Sequence, residues 1–235
     1  TILLRALDYS TKDILEMFYD NNNYFMDKNG AIALELVPAR LRGQVLNFNI
    51  KSGETEIVKS GVRITNRHIR EMEKAKLTRL EVPAEFVIGN ALASDIVDKG
   101  TGEIKYACNA EVTQEMINTF VKMGLKEFST IYTNDLDCGP FISDTLRIDP
   151  TQSRMESLVE IYRMMRPGEP PTKESAENLF GNLFFSLERY DLSAVGRMKF
   201  NRRLGREDKI GSATLDKDDI VDVMRALVGI RNGKG

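Results

Sequence analysis

The chain has 235 residues, 42% of them apolar and 29% charged, with 33 Lys and Arg against 35 Asp and Glu for a formal net charge of −2. That length holds one large core or two small ones, and the near-neutral balance excludes a wholesale polyanion coat. No apolar run approaches the roughly 20 residues of a membrane span and the N-terminus shows no signal pattern, so a cytoplasmic, non-exported protein is expected; Thr1 falls inside what reads as an element, as in a piece of a longer chain.

Residues 2–19 read as a short apolar lead, ILLRAL, followed by a helix. Ser10 or Thr11 suits its N-cap, Asp13 its positive end, and Ile14, Met17 and Phe18 one face. Asp20, Asn21, Asn22 and Asn23 then read as a turn at a domain boundary, because short polar side chains compete for backbone hydrogen bonds.

Residues 24 to 145 change character and contain an internal duplication, one copy starting at Gly43 and the other at Gly89. Aligned, Ile57 meets Ile104, Thr65 meets Thr113, Ile69 meets Ile117, Met72 meets Phe120, Leu77 meets Leu125 and Leu80 meets Phe128. Each copy predicts a hairpin, a helix capped by its threonine, and a returning strand, with hairpin turns at Ser52-Gly53 and at Lys99 to Gly102. Units of this size bury both faces only by packing together. The two copies share caps, turns and core positions, and their polar residues differ, which argues against a catalytic site built on either.

Isolated polar residues give little. Cys108 and Cys138 lie 30 positions apart with the single histidine, His68, far from both, which is no metal spacing; two reduced thiols are expected. His68 reads as a surface residue in a first helical turn. Asp135, Asp137 and Cys138 sit in TNDLDCGP, whose Asn, Asp, Gly and Pro make a turn.

After Leu146 an apolar stripe of Met155, Leu158, Val159, Tyr162 and Met165 predicts a helix that ends at Arg166, since Pro167, Gly168, Pro170 and Pro171 force a reversal. Thr172 caps a second helix whose apolar face is Ala176, Leu179, Phe180, Leu183, Phe184 and Leu187. From Arg189 to Arg206 six cations (Arg189, Arg197, Lys199, Arg202, Arg203, Arg206) stand against one acid, Asp191. Such a stretch is either a footprint for nucleic-acid phosphate or a set of arginines paired with acids elsewhere in the fold. Gly211-Ser212 marks a loop, and Asp216 starts a last helix with Asp218 and Asp219 at its positive end and Ile220, Val223, Met224, Leu227 and Ile230 along one stripe. The acids lack EF-hand order, so calcium is not expected.

The segments VEIYRMMRPGEPPT, NLFF and RYDLSAVGRMKFNRRL, with TILLRAL at the start and LDKDDIVDVMRALVGIRNGKG at the end, resemble the lobe region of the β subunit of bacterial RNA polymerase. The resemblance covers essentially the whole chain, and its middle is similar to the lineage-specific insertion of the proteobacterial form. It implies an α+β chain: a mostly helical lobe domain of residues 1–22 and 146–235, interrupted by an inserted module of residues 23–145 with repeats near 43–83 and 89–131. It further implies a non-catalytic wall of the DNA cleft that meets the downstream duplex through phosphates, with Arg166, Arg189, Arg197, Lys199, Arg202 and Arg203 as DNA-facing residues. No nucleotide-binding loop, nucleophile motif or paired-carboxylate site occurs in the sequence. The polymerase's magnesium would be held by the β′ subunit, so no cofactor is expected here, and enzyme status belongs only to the multisubunit nucleotidyltransferase. Implied partners are duplex DNA, the rest of the β subunit, other polymerase subunits, sigma factor and regulatory proteins, in the cytoplasm with the nucleoid. A protein-docking module for transcription regulators without direct DNA contact is the alternative, with the insertion an exterior docking surface or tolerated bulk.

Overall fold

The structure, a computed structural model, describes residues 1–53, 55–189, 191–206 and 211–234. It forms two compact units: Thr1–Tyr19 with Thr133–Gly235, and Asp20–Tyr132. The fold is α+β, as expected.

The first unit opens with α1 (Ile2–Ala6) and α2 (Thr11–Phe18). Ser10 caps α2: its hydroxyl accepts from the Asp13 N–H at 3.1 Å and the Asp13 carboxylate accepts from the Ser10 N–H at 2.8 Å. The Ser10 hydroxyl and N–H together hold the Asp13 carboxyl below the usual range.

The second unit begins where a turn was expected. Asn21, Asn22 and Asn23 instead start strand β1 (Asn21–Met26). The preference of asparagine for turns is local, and it is overridden by antiparallel pairing on both sides, with Asn21 opposite Ile131 and Tyr24 opposite both Leu34 and Phe128. There follow β2 (Ile32–Glu35), a 3₁₀ turn at Pro38–Leu41, the hairpin β3 (Ile50–Ser52) and β4 (Thr55–Val58), α3 (Asn66–Lys74), β5 (Arg79–Val82), and the short α4 (Ala84–Val87). The second copy repeats this order as β6 (Ile96–Val97), β7 (Ile104–Tyr106), α5 (Gln114–Lys122) and β8 (Glu127–Ile131).

The main sheet runs β5-β2-β1-β8 with all neighbours antiparallel. The returning strands of the two copies therefore flank the β1–β2 hairpin, one on each side. Leu80, Leu34, Tyr24 and Phe128 form a continuous row across the four strands, all buried in a core shared with Met72 of α3 and Phe120 of α5. Tyr24 stacks on Phe128 with centroids 5.1 Å apart. The caps follow the sequence: the Thr113 hydroxyl accepts from the Met116 N–H at 3.3 Å, and at α3 the Thr65 N–H donates to His68 Nδ1 at 3.2 Å. His68 thus works as a helix-capping acceptor.

Burial pushes the Tyr24 phenol up to about 12 from its usual 10. The folded chain then keeps this proton where the unfolded chain has lost it, so between about pH 10 and 12 stability falls as pH rises, by roughly 1.4 kcal/mol per unit. Tyr24→Phe is expected to flatten the alkaline limb of a stability-versus-pH curve measured by urea unfolding. A limb as steep as the parent's would count against this assignment.

The chain re-enters the first unit at Thr133. Asn134 Oδ1 accepts from the N–H groups of Leu136, Asp137 and Cys138, making the expected turn. Helix α6 (Phe141–Ile148) belongs to this unit, tied to α2 through Tyr19, whose hydroxyl donates to the Gly139 carbonyl at 3.2 Å and accepts from the Ile142 N–H at 3.1 Å. The joins expected from the resemblance lie at 22/23 and 145/146. The units meet at 19/20 and 132/133, because β1 starts at Asn21 and Tyr19 holds the residues before α6.

Helices α7 (Arg154–Met165) and α8 (Lys173–Phe184) pack together across the proline turn, where Gly168 takes a φ of 91°. With α1 they bury Ala6, Leu7, Leu158, Tyr162, Ala176 and Phe180, joined by Ile220 of the last helix, α10 (Lys217–Arg231). Two expectations are corrected. Leu187 lies beyond the end of α8, off its helical period, and is 67% exposed; Leu227 and Ile230 are more than half exposed because this core covers only the first turns of α10.

Candidate nucleic-acid interface

The basic stretch folds as helix α9 (Ser193–Arg203), and its two faces differ in kind. Arg197 and Asn201, four residues apart, are buried, while Lys199, Arg202 and Arg203, at i, i+3 and i+4, are exposed. At 100° per residue those three lie on the opposite side of the helix from Arg197.

The inner face is an ion cluster. Arg197 Nη1 donates to Asp219 Oδ2 at 2.8 Å, its Nε donates to the Ser212 carbonyl at 2.8 Å, and its Nη2 reaches the Thr214 carbonyl. The guanidinium also lies 5.2 Å from the Phe200 ring centroid. Arg206 takes the other oxygen of Asp219 at 2.7 Å and pairs with Asp222, which in turn accepts from Arg225 at 3.0 Å. Burial would raise the Asp222 carboxyl, but the guanidinium groups of Arg206 and Arg225 outweigh that and hold it below the usual range. Asp219 also closes the cap of α10, accepting from the Asp216 N–H at 3.1 Å while its own N–H donates to Asp216 Oδ1 at 2.8 Å. Two of the six cations of the stretch are thus spent on fastening α9 to the start of α10.

This corrects one expected contact. Arg197, expected to face DNA from its charge and from the resemblance, is 6% exposed and bonded at all three of its nitrogens, so a phosphate could reach it only by breaking a buried pair. Helical phase was the signal that separates it from its neighbours: had the stretch been read as a helix, Arg197 would have fallen opposite Lys199, Arg202 and Arg203.

Arg166 and Arg189 come together elsewhere in the same unit. Both line a groove of about 500 Å³ along α7 and α8, with Ser175, Asn178 and Asn182 supplying further polar groups. Arg166 Nη1 lies 3.3 Å from Glu169, a pair exposed on both sides, and Glu169 also accepts from the Tyr162 hydroxyl at 2.9 Å. An exposed pair of this kind is worth little and yields readily to a stronger anion.

Among the described residues, no three His, Cys, Asp or Glu side chains converge as a metal site would require, and no helix is long and apolar enough to cross a membrane. Exposed guanidinium and ammonium groups are suited to holding anions. Residues 129–235 match the family model described as RNA polymerase Rpb2, domain 2.

Proposed function

We propose, from the match of residues 129–235 to that family model, that the chain is the lobe of an RNA polymerase β subunit and forms a wall of the DNA cleft, touching downstream duplex through phosphates. The observation that carries the reading is the outer face of α9, where Lys199, Arg202 and Arg203 are exposed on one side of a helix clamped from behind. Long cationic side chains without base-edge donors in fixed geometry suit a duplex that must slide past regardless of sequence. Arg166 and Arg189 add a second basic point, and Arg197 leaves the set. The domain is a component of a multisubunit nucleotidyltransferase, so other polymerase subunits are its partners; magnesium and the chemical step belong to them. The unit of residues 20–132 serves as a surface for other proteins and not for DNA.

The test is fluorescence anisotropy of labelled duplex across a salt series. Five phosphate contacts give a log-log slope of about −4.5 and affinity in the non-specific range, roughly 10⁻⁴ to 10⁻⁶ M. The triple variant Lys199→Ala/Arg202→Ala/Arg203→Ala is expected to flatten the slope by about 2.7. Equal binding by parent and triple variant, or none at low salt, would favour a docking module without DNA contact.

A further inference from the structure

The two copies in the Asp20–Tyr132 unit are not equivalent at their outer strands. Strand β8 has its free edge covered by the preceding segment: the Ala93 N–H donates to the Ser129 carbonyl and the Ile131 N–H to the Ala91 carbonyl, both at 2.9 Å. Since Leu80 matches Phe128, Glu81 stands where Ser129 does and Pro83 where Ile131 does. Proline has no N–H, so the second of these bonds cannot form in the first copy.

The edge of β5 is accordingly open. Leu36 N–H donates to the Thr78 carbonyl at 2.9 Å, which by alternation turns the backbone of Thr78, Leu80 and Val82 toward β2 and that of Arg79 and Glu81 outward. Among the described residues, no hydrogen bond uses the N–H or carbonyl of Arg79 or Glu81 outside the β2 pairing. Beside this edge lies a groove of about 650 Å³ lined by Ile32, Phe48, Asn49, Lys51, Arg79 and Ala84 among others. The Arg79 guanidinium sits 4.2 Å from the Phe25 ring centroid of β1, over the face of the sheet, which leaves the backbone edge of β5 uncovered by that side chain. Pro83 and the charged side chains of Arg79 and Glu81 also guard the edge against indiscriminate sheet growth.

We propose that this edge is a docking site for an extended segment of a partner protein, added as an antiparallel strand on Arg79 and Glu81. Two outward residues offer two donors and two acceptors, the unit from which strand addition builds affinity, while flanking side chains supply specificity. The charges set the register. An acidic residue opposite Arg79 and within reach of Lys51, an apolar residue opposite Leu80, and a basic residue opposite Glu81 spell Lys-Val-Glu in the partner's own direction. The inference rests on reading this unit as a protein-docking surface and is independent of the DNA contact.

The experiment uses the 235-residue chain and a labelled peptide, acetyl-Thr-Lys-Val-Glu-Val-amide. Saturable binding at or below about 1 mM is expected, at least tenfold tighter than for the charge-reversed Glu-Val-Lys peptide. Methylating the backbone nitrogens of its Lys and Glu should abolish it, a control that needs no protein variant. The double variant Arg79→Glu/Glu81→Arg should invert the peptide preference while leaving duplex binding unchanged. Binding that ignores both N-methylation and charge order would overturn strand addition at β5 while leaving a docking surface elsewhere on the unit. No binding would overturn both. Dimerisation of the chain without peptide, lost in the double variant, would overturn the partner segment in favour of a second copy.

Discussion

Asp219→Ala is expected to lower the stability of the unit that contains it by about 3–5 kcal/mol, read from the urea midpoint of its unfolding. The side chain is 1% exposed, accepts from both Arg197 and Arg206, and closes the α10 cap. Its removal takes from the buried Arg197 its carboxylate partner, and from Arg206 one of its two, Asp222 remaining. That loss exceeds the net worth of the pair, because desolvated charge without a partner is what costs most. Removing Arg197 as well should therefore recover part of the loss, and a double-mutant cycle on Arg197→Ala and Asp219→Ala should show a coupling of about 0.5–3 kcal/mol. Additive effects would mean that the two side chains stabilise the fold separately, against the bonding described. Because Asp219 has no exposed surface to offer a ligand, its variants should weaken DNA binding only as far as α9 loosens.

Phe120→Ala should cost the Asp20–Tyr132 unit a similar amount, about 3–5 kcal/mol. Phe120 is fully buried, with its ring 5.2 Å from Phe128 and 5.9 Å from Tyr106, and Phe128 carries the contact on to Tyr24 at the sheet centre. Truncation opens a cavity between α5 and the strand row, which rigid strands cannot collapse to fill. Its counterpart in the first copy is Met72, also fully buried; Phe120→Met, which places the same residue in both copies, should cost less, since a flexible side chain fills irregular space. Equal losses for the two variants would show that ring contacts, and not volume, hold this core.

The duplication, the helices flanking the proline turn and the helix starts at Thr172 and Asp216 were legible because each depends on residues close in sequence, as was a cap at Ser10 or Thr11. Periodicity and capping act within a turn or two, so the chain specifies them without knowledge of the fold. The family resemblance was legible for a different reason, resting on wording and not on physics. What tertiary structure decided were the matters of partnership. Asn21 to Asn23 became a strand because Ile131 and its neighbours lay alongside to pair with them. Of the cations between Arg189 and Arg206, charge alone could not say which turn inward. Arg197 and Arg206 do so because Asp219 and Asp222, at the start of a later helix, come to rest against them. The open edge at Arg79 and Glu81 has one cause written in the sequence, Pro83 in place of Ile131. That this strand lies at the edge of its sheet is settled only once four strands from distant parts of the chain have found their order.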